Sequence, residues 1–383
     1  MSKVVIKNCE NYNIDTLTKN INEGIDSLGG WGKFVYKGAN VLLKVNLIGP
    51  KTPESGAITH VEFIRSITKI LKEKGCNVFI GDSSGGAIAG IAPTNQSFVS
   101  SGIEKMAKEE GAEIKSFDKE GVVKCDDNLV YGPMYIAKPM FDADIVINLP
   151  KLKTHSAAMY TGAIKNLFGC IPGLKKAYYH KIAPNPLDFG DVIVDINKSC
   201  KINLNIMDGI ESMEGEGPTG GTVYKSNKIL ISEDPLALDT VASKMIGMDV
   251  DNIPILKKAQ MRNLGESNLE KIELLGDFST LPKLHNFKFP KNYNSNKRKN
   301  YNAVKNIIDF MKARPKVNLK KCKGCNMCVD SCPVFAIEKD SKAIDYDKCI
   351  ECLCCHELCL HKAIDLKRSN FIAGIITKLP SKY

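Results

Sequence analysis

The 383-residue sequence lacks any apolar run that approaches the roughly 20 residues needed by a membrane-spanning helix. The best late candidate, Phe371–Ile376, has six residues, so no membrane partner is expected. The first residues, Met1–Glu10, reach polar side chains too early for a secretory signal. A cytoplasmic location is therefore predicted, and in that reducing compartment a disulfide framework is not expected.

Several signatures of known enzyme classes are also missing. The loop that begins at Gly81 (Gly-Asp-Ser-Ser-Gly-Gly) lacks both the G-x-G-x-x-G spacing and the Gly-Lys-Ser/Thr ending, so neither a dinucleotide site nor a P-loop is indicated. The sequence shows no Ser-His-Asp pattern and no H-E-x-x-H motif. Charged residues make up 25% of the chain and hydrophobic residues 43%, which is typical of a folded protein and excludes wholesale disorder.

Cysteine and positive charge are abundant instead, and both are unevenly distributed. Nine of the 14 cysteines lie between Cys322 and Cys359, a density that indicates metal binding in a reducing compartment. The other five are scattered and are expected to be small buried hydrophobic residues. The segment from Lys283 to Lys316 contains ten Lys or Arg residues against one acid, Asp309. Its asparagine-rich run predicts a linker.

These features divide the chain into four predicted segments. An α/β domain spans residues 1–290, a basic linker 291–316, a cysteine-rich domain 317–368 and a C-terminal tail 369–383. Helical spacing over Ala303–Arg314, ended by Pro315, predicts a short helix in the linker. The linker contains Tyr293 and Tyr301 for base stacking but no recognition motif, which argues against a nucleic-acid partner.

The cysteine-rich segment contains one motif twice. Cys322-x2-Cys325-x2-Cys328-x3-Cys332 recurs 27 residues later as Cys349-x2-Cys352-x2-Cys355-x3-Cys359. Structural zinc is the competing interpretation, but zinc sites usually pair two C-x2-C knuckles across a longer gap. Residues 317–366 resemble the bacterial two-cluster ferredoxin, which implies a small α+β ferredoxin-like domain with two 4Fe–4S clusters.

The same resemblance implies the ligands, because the fourth cysteine of each ferredoxin run crosses to the other cluster. One cluster would take Cys322, Cys325, Cys328 and Cys359, and the other Cys349, Cys352, Cys355 and Cys332. Cys354 is an additional thiol that we expect not to be a ligand, and the alternative is a substitute ligand or a redox-sensitive thiol.

The first 282 residues alternate apolar runs with helical spacing, which predicts an α/β domain whose mostly parallel sheet is flanked by helices. Asn40–Ile48 and Cys76–Ile80 are predicted strands, and Thr59–Glu62 is a capping box that begins a helix. Ligands of such sheets bind beyond the carboxyl ends of the strands. The polar residues at or near those ends are predicted to bind substrate: Lys44, Asn46, Asp82, Ser83, Lys151, Lys153, Asp208 and Glu214. His60 and Asn166 are predicted to bind substrate as well.

Three basic residues in the following stretch are predicted to be catalytic. His155, Lys165 and His180 have side chains that polarise a carbonyl or carboxylate and deliver a proton. This part of the chain resembles the bacterial and archaeal domain of unknown function 362, which is often fused to a ferredoxin module. The resemblance is carried by segments that include Lys44-Val-Asn-Leu, Gly81-Asp-Ser, Pro150-Lys-Leu-Lys-Thr-His, Lys165-Asn-Leu-Phe-Gly and Gly215-Glu-Gly-Pro-Thr-Gly.

The combined predictions favour an iron–sulfur oxidoreductase that works as a ferredoxin-dependent reductase. Its ferredoxin domain would relay low-potential electrons between a partner protein and a small-molecule substrate bound at the strand-end edge of the α/β domain. The alternative is an electron carrier, or a docking or assembly protein, with no substrate chemistry of its own. The residues leave open which substrate is bound and whether a flavin or a further metal is present.

Overall fold

A computed structural model describes residues 1–85, 92–127, 129–173, 175–293, 313–359 and 361–368. The strands of the large domain are β1 (Ser2–Asn8), β2 (Asn40–Lys44), β3 (Asn77–Asp82), β4 (Glu113–Ser116), β5 (Val122–Cys125), β6 (Met134–Ala137), β7 (Ile145–Asn148), β8 (Lys151–His155), β9 (Met159–Thr161), β10 (Leu204–Glu214), β11 (Thr222–Ser232) and β12 (Ile272–Gly276). Its α-helices are α1 (Ile14–Asp26), α2 (Val61–Glu73), α3 (Thr94–Ser100), α4 (Ile103–Glu109), α5 (Pro139–Asp142), α6 (Ala163–Asn166), α7 (Lys175–Ile182), α8 (Pro186–Ser199), α9 (Pro235–Met245) and α10 (Pro254–Met261). The C-terminal module contains β13 (Ala313–Val317), α11 (Met327–Asp330), α12 (Cys354–Leu358) and β14 (Ile364–Arg368).

The main sheet has the strand order β12-β1-β11-β10-β7-β2-β3-β4. The run from β10 to β4 is parallel throughout, whereas β11 is antiparallel to both of its neighbours. Strand β8 lies off this path, where it pairs in parallel with the far half of the long strand β10 and antiparallel with β9. The predicted α/β domain with a mostly parallel sheet is therefore confirmed.

Two hydrophobic cores cover the two faces of this sheet. Successive residues of β2 alternate between them, because Val41 and Leu43 face one core and Leu42 the other. The first core contains apolar residues of α1, α2 and α4, and the second contains those of α8, α9 and α10. Helices on both faces of a parallel sheet leave the carboxyl ends of the strands open at one edge.

Two local predictions were wrong. His60, not Thr59, caps α2, and its Nδ1 accepts a hydrogen bond from the Glu62 N–H. The Thr59 hydroxyl is already used, because it donates to the Leu149 carbonyl at 2.7 Å and accepts from the Asn46 N–H. The last two residues of the predicted linker helix, 313 and 314, instead begin β13. The rest of that helix and the tail 369–383 lie outside the described residues.

Tyr293, one of the two tyrosines considered for base stacking, is fully buried in the large domain. Its ring contacts Phe289 with centroids 4.9 Å apart, and its hydroxyl accepts a hydrogen bond from the Asp249 N–H. The ring is therefore not available to stack on a base. None of the helices that the structure describes is both long and apolar enough to cross a membrane.

Asp239 on α9 anchors the short helix α6, which carries two predicted site residues. Its carboxylate accepts the backbone N–H of Ala163 at 2.7 Å and that of Ile164 at 3.0 Å, together with the Tyr160 hydroxyl. A Cβ on Gly162 would lie 2.1 Å from the same carboxylate, so the close approach requires glycine. This contact orients Lys165 and Asn166 toward the strand ends.

We predict that Asp239→Ala lowers the free energy of unfolding by about 2 to 3 kcal/mol, because three buried donors lose their acceptor. Thermal unfolding followed by circular dichroism checks this. The control is Asp142→Ala, which removes an exposed ion pair to Lys138 and should change stability by less than about 1 kcal/mol. Equal stability of the two variants would show that Asp239 is not an anchor.

Candidate functional site

A cavity of about 460 Å³ lies at the carboxyl edge of the sheet, between the large domain and the C-terminal module. Strands β2 and β3 and the loops after them deliver polar side chains into it, as do β8, α6 and α7. Seven of the large-domain residues predicted from the sequence line this cavity: Asn46, Asp82, Ser83, Lys153, Lys165, Asn166 and His180. The other predicted residues of the large domain lie behind the cavity wall or elsewhere.

The cavity floor is built on a buried ion pair. Lys44 Nζ lies 2.9 Å from Asp82 Oδ1, and both side chains are almost fully buried. The Asp82 carboxylate also accepts the Leu47 N–H at 2.7 Å, and the Lys44 ammonium donates to the Val45 carbonyl. Burial raises the pKa of the Asp82 carboxyl, and the Lys44 charge offsets part of that rise.

Amide side chains next to this pair hold a lysine in place. Lys153 Nζ donates to Asn46 Oδ1 and to the Ala57 carbonyl, both at 2.6 Å. Asn46 Nδ2 donates to Asn166 Oδ1, and Asn166 Nδ2 donates to Asn148 Oδ1 at 2.7 Å. The network joins the ends of β2, β7 and β8 to α6, so that Lys153 and Asn166 are fixed on the same side of the cavity.

The three residues predicted to be catalytic lie near one another, although only Lys165 and His180 line the cavity. His155 is buried behind the wall, and its Nδ1 accepts the backbone N–H groups of Ala157 and Ala158. Burial lowers the pKa of His155 well below its usual value, and nearby Lys165 lowers it further. His155 is therefore neutral at pH 7.

Two aromatic rings hold the His180 side chain in the cavity wall. Its ring stacks on Phe189 with centroids 4.5 Å apart and meets Phe168 edge-on. Burial lowers the pKa of His180 to about 3, with a further contribution from the Lys165 charge. A neutral imidazole can donate a hydrogen bond to a bound group, or accept one from it, without adding charge.

Four other predicted residues do not reach the cavity. Asp208 accepts hydrogen bonds from the Tyr12 hydroxyl at 2.9 Å, from Lys151 Nζ at 2.8 Å and from the His60 N–H at 3.0 Å. The His60 ring stacks on Tyr12 at 3.6 Å. This group ties β8 and β10 to α2. Separately, Glu214 accepts hydrogen bonds from the Thr222 hydroxyl and from the Lys288 N–H.

Several cavity residues were missed from the sequence, most notably Lys176 on α7. Its Nζ donates to the Ser83 hydroxyl at 2.7 Å and to the Ser84 carbonyl. Burial lowers the pKa of Lys176 to about 8, although Asp118 and Asp82 oppose that shift. The spacing between Lys176 and His180 is four residues, which places both on the same face of a helix. Because His180 was already a predicted site residue, this spacing could have identified Lys176 from the sequence.

The eight cysteines of the repeated motif line two small pockets in the C-terminal module. Cys322, Cys325, Cys328 and Cys359 line one, and Cys332, Cys349, Cys352 and Cys355 line the other. The 27-residue offset extends to the backbone, because Asn326 and Leu353, which precede α11 and α12, are both left-handed with φ of 60°. Among the described residues, no three or more His, Cys, Asp or Glu side chains are placed to hold a single metal ion.

The chemistry of these pockets fits a 4Fe–4S cluster. Burial, together with the neighbouring thiols Cys359, Cys322 and Cys325, raises the pKa of Cys328 to about 11. Such mutual repulsion is relieved when four thiolates share a metal core. Backbone N–H groups point at the sulfur atoms, from Ala336 to Cys332 Sγ at 3.2 Å and from Ala363 to Cys359 Sγ at 3.1 Å. Hydrogen bonds of this kind tune cluster potentials.

The C-terminal module forms the second wall of the cavity. Cys332, Cys354, Phe335 and Leu358 of this module line the cavity, as do Lys165 and His180 of the large domain. Cys332 and Cys354 also line the second cysteine pocket, so this pocket and the cavity share a wall. The contact between the two domains is close: a Cβ on Gly85 would lie 3.2 Å from Leu358, and one on Gly220 would lie 3.2 Å from His356 Nε2.

We predict that Gly169→Ala lowers the free energy of unfolding by about 3 kcal/mol or more, since it disrupts a buried ion pair. A Cβ on Gly169 would lie 2.1 Å from Asp82 Oδ1 and 2.7 Å from Lys44 Nζ. Urea unfolding measures the effect. Gly32→Ala is the matched control, because a Cβ there meets no described atom within 4 Å. If both variants unfold at the wild-type urea concentration, the floor tolerates a side chain.

Two family models match separate parts of the chain. The family model of a domain of unknown function, DUF362, matches residues 41–244. The model of a 4Fe-4S dicluster domain matches residues 314–360. The chain therefore carries a 4Fe–4S domain that supports an electron-transfer role.

Individual proteins are similar to one or both parts. Thylakoid-associated protein sll1697 of Synechocystis sp. is 31% identical over 272 residues, which cover 70% of this chain and 82% of that protein. Pyruvate synthase subunit PorD of Methanothermobacter marburgensis is 40% identical over 57 residues, 15% of this chain and 69% of that subunit.

Among solved structures, the lactate racemase apoprotein of Thermoanaerobacterium thermosaccharolyticum aligns with a TM-score of 0.40 and 13% identity. That alignment covers 65% of this chain and 57% of the racemase. The two family matches and the cyanobacterial relative lead to one conclusion: the chain belongs to the DUF362 family and carries a 4Fe-4S dicluster domain at its C-terminal end.

Proposed function

We propose that this protein is an iron–sulfur oxidoreductase that exchanges electrons with a small molecule bound in the cavity. The observation that carries the proposal is the wall shared by the cavity and the second cysteine pocket, to which Cys332 and Cys354 both belong. A redox centre held in that pocket would border the space where the substrate binds. The α/β domain supplies the other wall, with Lys165 and His180.

The proposed cofactors are two 4Fe–4S clusters, which exchange single electrons when bound. Cys322, Cys325, Cys328 and Cys359 would hold one, in a pocket that shares no lining residue with the cavity. Cys332, Cys349, Cys352 and Cys355 would hold the other. Cys325 is exposed and the nearby Lys320, Lys321 and Lys323 are exposed as well, so an acidic electron-transfer protein is the partner that this surface favours.

The polar side chains of the cavity provide binding and protons. The reduction of a carbonyl or an activated C=C bond consumes two electrons and two protons, and the protons must come from the chain or from solvent. Lys176 has a pKa near 8 and therefore holds a transferable proton at neutral pH. Neutral His180 hydrogen-bonds a substrate oxygen, and the Lys165 charge stabilises negative charge that develops there.

We predict that Cys355→Ser and Cys354→Ser differ in iron content after anaerobic reconstitution. Wild type should bind about eight iron atoms per chain, in line with two cubes. Cys354→Ser should retain them, whereas Cys355→Ser should lose about half or more, because a proposed ligand is removed. Iron analysis and electron paramagnetic resonance of the reduced protein are the measurements. If Cys354→Ser loses iron and Cys355→Ser retains all of it, Cys354 is the ligand and Cys355 is not.

We predict that filling the cavity blocks small acceptors without harming the clusters. Ala177 on α7 lines the cavity, and Ala177→Trp should remove at least nine-tenths of the saturable oxidation of dithionite-reduced protein by anthraquinone-2-sulfonate. Oxidation by cytochrome c, which is too large to enter, should change by less than about twofold. Stopped-flow absorbance of the clusters follows both reactions.

The control is Lys175→Trp, on the same helix but exposed and outside the cavity lining. It should react with both acceptors as the wild type does. If Ala177→Trp also keeps the wild-type rate with the small acceptor, the cavity takes no part in electron transfer. The protein is then an electron carrier or docking protein without substrate chemistry.

A further inference from the structure

The chemistry of the cavity lining also identifies a class of ligand. We infer that the cavity binds a flat organic anion, whose acid group lies among lysine side chains and whose apolar body lies against aromatic rings from both domains. The inference rests on the proposed function, since it names the substrate class of the same site. It stands on the charges, the burial and the dimensions of the lining.

Positive charge dominates the lining. Four lysines from three elements contribute to it: Lys153 of β8, Lys165 of α6, and Lys176 and Lys181 of α7. Two carboxylates are present, Asp82 and Asp330. Asp82 is already paired with Lys44 and accepts two backbone N–H groups, and Asp330 is exposed at the rim. The inner part of the cavity therefore carries a net positive charge that an anion would neutralise.

Burial makes this charge effective. Lys153 and Lys176 are each less than 10% exposed, and Lys165 is half-buried. A charged pair formed where water is excluded is screened less than one formed on the surface. Because His180 is neutral at pH 7, the lysines alone supply the charge. A ligand without an acid group would displace water from these ammonium groups without supplying a negative charge to pair with them, which costs free energy.

The remaining wall is apolar and partly aromatic. Phe168, Leu47 and Leu358 line the interior. Two large rings at the cavity are unusually exposed for apolar side chains, namely Tyr178 at 58% and Phe335 at 82%. Tyr178 belongs to the α/β domain and Phe335 to the C-terminal module, so a flat ligand between them would cover apolar surface from both.

The dimensions favour a small molecule over a polymer. A cavity of about 460 Å³ falls within the range of pockets that enclose drug-sized ligands and cofactors. An anion with a bicyclic aromatic body is a suitable probe. Carboxylates and phosphate esters share the required charge, and lysine ammonium groups bind either as point charges, so both acid groups belong in the test.

The test uses the reconstituted full-length protein under anaerobic conditions and measures binding by equilibrium dialysis. The probes are 2-naphthoate, 2-naphthyl phosphate and the uncharged 2-naphthalenemethanol. At least one anion should bind with a Kd tenfold or more below that of the alcohol. Lys165→Met should raise the Kd of that anion by about five- to tenfold, and Lys181→Met, which removes an exposed and better screened charge, by about two- to threefold. Both variants should leave binding of the alcohol within twofold. The tighter of the two anions identifies the acid group.

Two controls place the probe in the cavity. Lys175→Met removes a charge from the exposed part of α7 and should leave all three Kd values unchanged. Ala177→Trp should abolish binding of the anion. The inference is overturned if the alcohol binds as tightly as both anions, if neither anion binds, or if the lysine variants weaken alcohol and anion equally. Any of these results would mean that the lysines only offset the charge of the neighbouring thiolates.

Failure of the inference and failure of the proposed function give different results. Dialysis requires no electron transfer, so anion binding without oxidation of the clusters by any small acceptor leaves the ligand class intact and contradicts the oxidoreductase. If small acceptors oxidise the clusters through the cavity but anions bind no more tightly than the alcohol, the oxidoreductase stands and the ligand class is contradicted.

Discussion

The buried pair of Lys44 and Asp82 is the interaction on which the cavity depends. It joins the ends of two neighbouring parallel strands at a point where neither charge has access to water. Such a pair contributes little net stability by itself, but the removal of one partner leaves an unpaired buried charge. Asp82 also fixes the backbone at Leu47, and the loop at Gly169 packs directly on both charges. The Lys44–Asp82 pair therefore holds the floor of the cavity together with the loops at Leu47 and Gly169.

Sequence reasoning located the edge of the sheet because strand ends are marked by polar residues after apolar runs. Asn46 and Asp82 were found in this way, Asn166 came from a segment that resembles the DUF362 family, and the spacing of the cysteines identified the iron–sulfur domain. It did not separate Lys151 from Lys153, which are two residues apart on β8 yet bind different groups, one at Asp208 and the other at Asn46. Strand β8 itself was missed, since its pairing with the far half of β10 depends on contacts 50 residues or more away.

The arrangement of the C-terminal module could not be derived from sequence either. Which face of a ferredoxin-like domain packs on the α/β domain depends on shape, here on glycines that admit Leu358 and His356. That choice brings Cys332 to the cavity and leaves Cys325 exposed. The two cysteine pockets are built from the two copies of one repeated motif. Their surroundings differ because only one of them packs beside the cavity of the α/β domain. In the proposed function, the pocket with exposed Cys325 exchanges electrons with a partner protein, and the pocket with Cys332 exchanges them with a bound small molecule.

A cavity whose walls come from two domains also couples ligand binding to domain contact. A molecule that touches both Tyr178 and Phe335 binds fully only when the domains are together, so its binding free energy adds to the association of the domains. The coupling is reciprocal, because anything that strengthens the domain contact raises ligand affinity by the same factor. For the proposed ligand, contact with the exposed ring of Phe335 would make the position of the C-terminal module depend on whether that ligand is bound.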